Sequence, residues 1–447
     1  MSESRATDLP GRAPRPWAPE VVLDEVPHKV GGSSYELRGT WAFVTWGSML
    51  TVALVPFTNV FLPRTNQQYS VMSVTWLFFW ACLLLSPRVL KRGFTPILVW
   101  MTVLFGTRYV YGSLLSTLPE QMANSTASMI RPMFWAWILA AILREDRLRR
   151  RACDVFLAGS ALAGLLHLAG IGTDTPIVEA LGSQRISAFE QNANVLGVIY
   201  ATAFVIAVAG VIQPGPERGW FRRTLYVGQG GLVAAGLLLT GSRTAALFAA
   251  FGVVALVAIE ARRARWSAPA TLAAVLLVGT LLGGGLIQSV LGKRSERVSV
   301  QSVEGVGSED RARMAPVLVD QFLRSPIYGL GPENYRVELG HRSGTSHSES
   351  GIVAHNQLAM FAVEMGLFGI VPFLAICGLL LFQSWRIREA EGGLPFALAL
   401  ACVVTATTTA NIAFHWHFHF IVGFVAGAYS AFRLRQARDL PFEGEEA

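Results

Sequence analysis

A histidine stands just before a long apolar segment of the chain. His355 and Asn356 end a polar stretch, and the sequence MFAVEMGLFGI starts at Met360. An imidazole with an ordinary pKa of about 6.5 can take a proton from an attacking hydroxyl group. We therefore predict that His355 acts as a general base or orients the attacking group, with Asn356 in support. Glu364 lies on the opposite side of an ideal helix from His355, so we do not expect the two to pair.

Three arginines could supply the positive charge for a phosphate site, because guanidinium forks match phosphate oxygens. Arg185 precedes the polar sequence EQNAN, and Arg243 lies in the small-residue sequence GSRTA. Arg311 falls on the apolar stripe of a helix that we predict between Ser308, as its N-cap, and Pro326. We predict that these three arginines bind a phosphate-bearing ligand.

Four further polar residues are predicted to support this site. Asn192 and Asn194 precede an apolar helix, which either of them could instead cap. Arg108 and Arg131 fall inside apolar segments, where a charge often faces a cavity or a partner. The alternative for these two arginines is that they reach outward to lipid headgroups.

Apolar segments recur along nearly the whole chain. Apolar residues make up 52% of the sequence and charged residues 15%, against about 25% charged in a soluble protein. A helix needs about 20 apolar residues to cross a membrane. We therefore predict an all-α integral membrane protein with about twelve transmembrane helices. They are expected at residues 40–60, 70–85, 95–115, 127–143, 152–170, 194–212, 225–239, 244–260, 268–290, 356–383, 394–411 and 418–433.

Basic residues in the short loops predict the orientation. If the N-terminus is cytoplasmic, sixteen lysines and arginines fall in the inner loops and three in the short outer loops, as the positive-inside rule requires. Both termini are then cytoplasmic, and the one long loop, which is partly helical, is extracytoplasmic. The predicted divisions are a disordered tail over 1–38, spans 1–9 over 39–290, the loop over 291–354, spans 10–12 over 355–433 and a second tail over 434–447.

Metal, thiol and nucleic-acid chemistry are not expected. The four cysteines lie in or beside apolar segments, which argues against disulfides and thiolate metal sites. His415, His417 and His419 could bind a transition metal, but the sequence near them lacks carboxylates and cysteines, which favours an aromatic-belt or acceptor-side role. We predict no metal and no cofactor. The net charge of +7 follows from the short loops and indicates no nucleic-acid partner.

Four pieces of the chain, in this order, resemble the O-antigen ligase and O-antigen polymerase superfamily of bacterial membrane proteins. They are Arg185 with Asn192-Ala193-Asn194, the GSRTA segment from Gly241, the Arg311 helix leading into SPIYGLGPENY, and AHNQLAMFAVEMGLFG from Ala354. The resemblance implies a multi-pass protein of the bacterial cytoplasmic (inner) membrane that acts in cell-surface polysaccharide biosynthesis.

The resemblance also implies a reaction. Family members are metal-independent, inverting glycosyltransferases that move a glycan from an undecaprenyl pyrophosphate carrier to a saccharide or glycolipid acceptor. Carried over to this sequence, Arg185 and Arg243 would hold the pyrophosphate, and Arg311 would help to close the loop over it. His355 would act as general base or orient the acceptor.

Three functions remain open at this stage. The same residues fit a ligase, which uses a separate acceptor, and a polymerase, which extends a chain on the same carrier. A glycan flippase or solute transporter would instead place ionisable residues near the middle of the membrane and show internal repeats. The embedded charges lie toward the outer side of their spans, which favours a transferase.

Overall fold

The computed structural model describes residues 34–58, 87–173, 187–189, 192–213, 219–263, 308–344, 351–354, 356–409 and 412–438. These residues fold into α-helices with short connections and no strands. The helices of the first part of the chain are α1 (Ser34–Leu54), α2 (Pro87–Gly93), α3 (Pro96–Leu115), α4 (Pro119–Ile142), α5 (Asp146–Leu168), α6 (Ala193–Ile212), α7 (Trp220–Thr240) and α8 (Arg243–Arg263). A 3-10 turn over Val55–Phe57 continues α1.

The remaining helices follow the long polar stretch. They are α9 (Ser308–Arg324), α10 (Tyr335–Ser343), α11 (Gln357–Met365), α12 (Leu367–Glu391), α13 (Leu394–Ala406) and α14 (Trp416–Arg438), with a 3-10 turn over Ile412–Phe414 before α14. Helix α9 confirms the helix predicted between Ser308 and Pro326.

Five of the described helices are long and apolar enough to cross a membrane, namely α3, α5, α6, α8 and α12. Two shorter apolar helices cover Trp41–Phe57 and Leu394–Ala406. The described residues therefore form an all-α membrane protein. The predicted spans at 70–85 and 268–290 lie outside those residues.

The predicted tenth span is not one continuous helix. It was expected over 356–383, but the chain forms α11 and α12 with a break at Gly366. Gly366 has a φ of +57°, and a Cβ there would lie 2.5 Å from the carbonyl oxygen of Pro326. Left-handed backbone of this kind favours glycine. The break therefore results from the close approach of the preceding loop, which hydropathy alone does not reveal.

Helix α6 is the centre of one half of the bundle, because its sequence is apolar almost throughout and most of its residues are buried. Glycines allow its neighbours to approach closely. A Cβ at Gly197 would lie 2.9 Å from the Cβ of Ala245 on α8, and one at Gly236 of α7 would lie 2.8 Å from the ring of Tyr200. Small residues at such positions are typical of helix packing in membranes.

Helices α8 and α13 run antiparallel. Gly252 packs against Ala401, whereas Ile259, one turn before the end of α8, packs against Gly393 at the start of α13. The end of α13 therefore lies at the same end of the bundle as the start of α8. We call this the Arg243 end.

An ion-pair cluster joins three helices at the opposite end. Arg149 of α5 pairs with Asp146 and, at 2.7 Å, with Glu391 at the end of α12. Arg435 of α14 pairs with the same two carboxylates. These contacts fix α5, α12 and α14 to one another away from the Arg243 end.

Candidate functional site

Arg243 is the first residue of α8, in a tight turn after α7. Gly241 adopts a φ of +54°, which ends α7. The Ser242 Oγ accepts a hydrogen bond from the backbone N–H of Ala245 at 3.3 Å and so caps α8. The partly buried Arg243 thus lies at a helix N-terminus, where unpaired N–H groups and the helix dipole favour an anion.

This turn contacts the start of α6. The Ser242 hydroxyl donates to Oδ1 of Asn194 at 3.0 Å. Asn192 caps α6, with its Oδ1 accepting from the Asn194 backbone N–H at 2.9 Å. The structure therefore brings the NAN and GSRTA segments together, and Asn192 takes the capping role that was the alternative for it. A side chain at Gly197 would prevent this approach, because its Cβ would lie 2.9 Å from Thr240 Oγ1.

A mainly apolar cavity of about 450 Å³ lies between α9, α11 and the end of α13. Its polar lining residues are Asn356, Thr407 and Thr408. The two threonines directly follow α13, so the cavity belongs to the Arg243 end. Its apolar walls come from the stripe of α9 and from α11: Met314, Ala315, Leu318, Val319, Phe322, Ala359, Ala362 and Val363.

Residues on both sides of position 355 are held by hydrogen bonds. Upstream, the Ala354 N–H donates to Oη of the buried Tyr335 at 3.3 Å, and the Ile352 N–H donates to the Arg336 carbonyl at 3.1 Å. Downstream, Asn356 caps α11, its Oδ1 accepting from the Ala359 N–H at 3.0 Å. The predicted base, His355, lies outside the described residues, as does Arg185.

Arg311 belongs to the first turns of α9, on the helix whose apolar stripe lines the cavity. Its side chain is also outside what the structure describes. Arg131 lies on α4 and is exposed. The predicted site residues that the structure does bring together are therefore Asn192, Asn194 and the Arg243 turn, with Asn356 lining the cavity at the same end.

Arg108 faces protein partners, which was one of the two predicted alternatives, because it is completely buried among carboxylates. Its Nε and Nη2 donate to the two oxygens of Glu364 at 2.9 and 3.1 Å, and Nη2 also donates to Glu333 at 2.7 Å. Its Nη1 donates to the hydroxyls of Ser125 and Thr126. Arg108 therefore does not reach lipid headgroups, and it joins α3, α4 and α11 to the loop segment that carries Glu333.

Glu333 lies at the centre of this cluster. Its backbone has a φ of +68°, which is unusual for a residue with a side chain. Its N–H donates to Glu364 at 3.1 Å, and its second oxygen accepts from Arg336 at 2.9 Å. Burial alone would raise the pKa of the Glu333 carboxyl, but Arg108, a hydrogen bond with Ser125 and Arg336 together more than offset this and hold the pKa below its ordinary value.

Backbone hydrogen bonds dock the same loop segment onto the α11–α12 junction. The N–H groups of Leu330 and Gly331 donate to the carbonyls of Val363 and Glu364 at 2.8 and 3.0 Å. The Leu367 N–H donates to the Pro326 carbonyl at 2.9 Å. The SPIYGLGPENY and AVEMGLFG sequences are thus paired directly through their main chains.

Asn334 extends this docking to the end of α3. Its Nδ2 donates to the Leu115 carbonyl at 2.8 Å, and its Oδ1 accepts from the backbone and hydroxyl of Thr117. Sequence analysis missed Glu333, Asn334 and the partner of Glu364. The available signal was charge balance, since an arginine inside an apolar segment requires a nearby acid and Glu364 is the acidic residue in MFAVEMGLFGI.

The described residues form long apolar helices, with polar residues gathered at the Arg243 end of the bundle. This arrangement is that of an integral membrane protein. Residues 231–374 match the family model described as O-antigen ligase. This match confirms the resemblance seen in the sequence and supports an assignment to the O-antigen ligase and polymerase family. It extends from α7 into α12 and so includes Arg243, the α9 helix and the loop segment with Glu333. A comparison with curated proteins finds no match.

The family and the apolar helices together place the protein in the inner membrane, with a role in polysaccharide biosynthesis that is of the O-antigen ligase or polymerase type. Such a protein acts on a lipid-linked glycan and an acceptor.

Proposed function

We propose that this protein transfers a glycan from an undecaprenyl pyrophosphate carrier to a saccharide or lipid-linked acceptor on the outer face of the inner membrane. One observation carries the proposal. Arg243 stands at the N-terminus of α8, in a turn bonded to Asn194, at the end of the bundle where the cavity beside Asn356 lies. This combination supplies an anion site at the same end of the bundle as an apolar space.

The arginines bind the leaving group. Arg185, Arg243 and Arg311 neutralise the pyrophosphate as the bond between the anomeric carbon and the phosphate oxygen breaks, which makes a divalent cation unnecessary. Asn192 and Asn194 shape the turn that carries Arg243. The carrier leaves as its free pyrophosphate.

His355 serves the acceptor. An acceptor hydroxyl attacks the anomeric carbon from the face opposite the pyrophosphate, and its proton passes to the imidazole. A single displacement of this kind forms one carbon–oxygen bond, breaks one, and inverts the anomeric centre. The apolar cavity supports the proposal, since its Met, Leu, Phe and Val walls suit the hydrocarbon part of a lipid-linked substrate.

The proposal keeps the predicted orientation, in which the loop 291–354 and the Arg243 end face outward and both termini are cytoplasmic. The cluster of Arg149, Glu391 and Arg435 then lies at the inner end, in agreement with the preference of basic residues for that side.

Carrier release is the direct test. Purified protein in nanodiscs would be given a lipid-pyrophosphate-linked glycan and host acceptors in the presence of EDTA, and free carrier and product size would be followed. We expect carrier release with EDTA. A ladder of repeat units identifies a polymerase, and a single addition to a separate acceptor identifies a ligase. Movement of intact lipid-linked glycan across the bilayer without carrier release would replace the proposal with a flippase.

Variants test the named residues. Arg243→Ala should lower transfer by at least ~100-fold, as loss of one transition-state charge contact does elsewhere. Arg243→Lys should also lower transfer, because a two-pronged contact becomes a point charge.

His355→Ala should lower transfer by about 100-fold or more. Arg313→Ala is the matched control, since Arg313 is exposed on the same helix as Arg311. Normal transfer by both Arg243→Ala and His355→Ala would contradict the assigned site.

A further inference from the structure

We infer that Arg108, Glu333 and Glu364 are positioning residues that fix the Ala354–Asn356 stretch from both of its ends. The inference rests on the proposed function, because that stretch carries the proposed base. None of the three residues lines the cavity beside Asn356, and Arg108 and Glu364 are 0% and 1% exposed. Their effect must therefore pass through the chain segments that they hold.

The first route leads to Ala354. Glu333 binds both Arg108 and Arg336, and Tyr335 lies between Glu333 and Arg336 in the sequence. Tyr335 is almost fully buried, and its hydroxyl accepts the hydrogen bond of the Ala354 N–H. The Arg336 carbonyl accepts the bond of the Ile352 N–H. Holding Glu333 in place therefore also holds segment 351–354, which leads directly to position 355.

Gly351 shows how closely segment 351–354 packs against α10. It adopts a φ of +64°, and a Cβ at this position would overlap the backbone of Arg336. The approach of segment 351–354 to the first turn of α10 therefore leaves no space for a side chain there. A shift of α10 would carry the whole segment with it.

The second route leads to Asn356. Glu364 lies near the end of α11, and its two oxygens receive both prongs of the Arg108 guanidinium. Asn356 caps the same short helix of nine residues. A rotation of α11 about its axis would move Asn356, and the forked bond to Arg108 prevents that rotation.

An ion-pair network has a property here that apolar packing lacks. Replacing buried ion pairs by apolar residues is often neutral or stabilising, so stability alone does not explain the network. A planar guanidinium with donors in fixed directions instead defines one arrangement of its partners. The left-handed backbone of Glu333 is a strained conformation that persists only where surrounding contacts hold it, and such strain clusters at functional sites.

The test compares Glu364→Gln, Arg108→Lys and Arg108→Gln with Arg342→Gln as the matched control. Glutamine keeps the shape of Glu364 but turns an N–H₂ group toward one of the Arg108 donors. Lysine keeps the charge of Arg108 and loses the fork. Arg342 makes ion pairs in the same loop, with Asp320 and Glu338, but on its surface. Each protein would be measured for kcat and KM in carrier release, and for hydrogen exchange at Ile352 and Ala354.

We expect Glu364→Gln to lower kcat by about 10-fold to 100-fold with KM for the lipid-linked glycan changed less than about threefold, because misplacement of a reacting group by 1 Å has effects of this size. Exchange at the amides of Ile352 and Ala354 should rise, while α6 and α8 keep wild-type protection. Arg108→Lys should retain more kcat than Arg108→Gln. Arg342→Gln should match the wild type in every measurement.

Two results would overturn the inference. One is wild-type kcat and wild-type exchange at Ile352 and Ala354 in Glu364→Gln. The other is a uniform rise in exchange through all helices, which would make the cluster a general stabiliser. Failure of the proposed function is distinguishable from both, because it would show as a lack of carrier release by the wild-type protein itself.

Discussion

Two clusters that involve the region between α9 and α11 contain the same number of charged side chains but differ in burial. The buried cluster consists of Arg108, Arg336, Glu333 and Glu364. The surface cluster consists of Arg324, Arg342, Asp320 and Glu338, and its members are between 33% and 48% exposed. The surface cluster joins α9 to α10, whereas the buried one joins the loop to the membrane helices.

The comparison shows that solvent, and not the number of ion pairs, decides what such a cluster does. Exposed pairs exchange one polar environment for another and contribute little to stability. Buried pairs have lost their water, so each partner depends on the other. The loop is therefore attached to the bundle by its buried cluster, and the surface cluster adds only local order.

Removal of one buried partner should have the largest effect. Arg108→Ala leaves the carboxylates of Glu333 and Glu364 without their common partner and should destabilise the protein by about 3–5 kcal/mol. Thermal unfolding of the detergent-solubilised protein measures this. Arg342→Ala in the surface cluster is the control and should leave the midpoint unchanged. Equal effects of the two substitutions would remove the distinction between the clusters.

Substitution of Gly366, at the break between α11 and α12, should have the second-largest effect on stability. Gly366→Ala places a methyl group 2.5 Å from the Pro326 carbonyl in left-handed backbone, so we expect a loss of roughly 2 kcal/mol or more, detected as a lower unfolding midpoint. Gly344→Ala is a sharper control than a surface position elsewhere. Gly344 also has a positive φ, of +67°, but among the residues that the structure describes no neighbouring atom lies within 4 Å of the added methyl group. The difference between the two variants isolates the contact with the docked loop.

Lowering the pH should destabilise the buried cluster, because it protonates Glu333. The pKa of Glu333 is lowered in the folded protein, so this carboxylate contributes stability that is fully present above the unfolded pKa of about 4.3 and is lost as the pH falls through its folded pKa. Between pH 6 and pH 3, the unfolding midpoint of the wild type should fall more steeply than that of Glu333→Gln. Parallel curves would mean that Glu333 titrates alike in both states.

Asp320 provides the comparison within the surface cluster. Hydrogen bonds from Arg342 and Arg324 also lower its pKa, which gives the same sign of pH dependence. Because Asp320 is exposed, Asp320→Asn should change the slope of the curve less than Glu333→Gln does.

Salt should produce the smallest effect. At 0.1 M ionic strength the screening length is about 10 Å, and it shortens as salt is added. Any difference in unfolding midpoint between the wild type and Arg342→Gln should disappear on going from 0.05 to 0.5 M salt, whereas the difference between the wild type and Arg108→Lys should persist. A salt-sensitive Arg108→Lys difference would indicate that water reaches the buried cluster.

Local sequence signals predicted much of this fold. Hydropathy located the described spans, and the apolar stripe of α9, with Ser308 and Pro326 at its ends, predicted a helix that the structure confirms. The break at Gly366 was not predictable in this way, because apolar residues continue on both sides of it. Its cause is the Pro326 carbonyl, which lies 40 residues away in the chain.

Local sequence is consistent with the backbone at Arg243, because Gly241 and the small residues beside it permit the tight turn that the structure has there. Arg108 was recognised as an unusual charge inside a span, but its partners lie 225 and 256 residues further along the sequence. Hydropathy and periodicity give no information about contacts between residues so far apart in the sequence. Only the folded loop brings Glu333 and Glu364 to Arg108.

The same separation has a consequence for biosynthesis. At roughly 5–20 residues per second, the ribosome reaches Glu333 roughly 10–50 s after Arg108. Helix α3 thus enters the bilayer with a charge that costs at least ~2.5 kcal/mol there and whose counter-ions have not yet been translated. Assembly of this protein is therefore completed from its C-terminal third, when two late carboxylates reach an arginine that was inserted first.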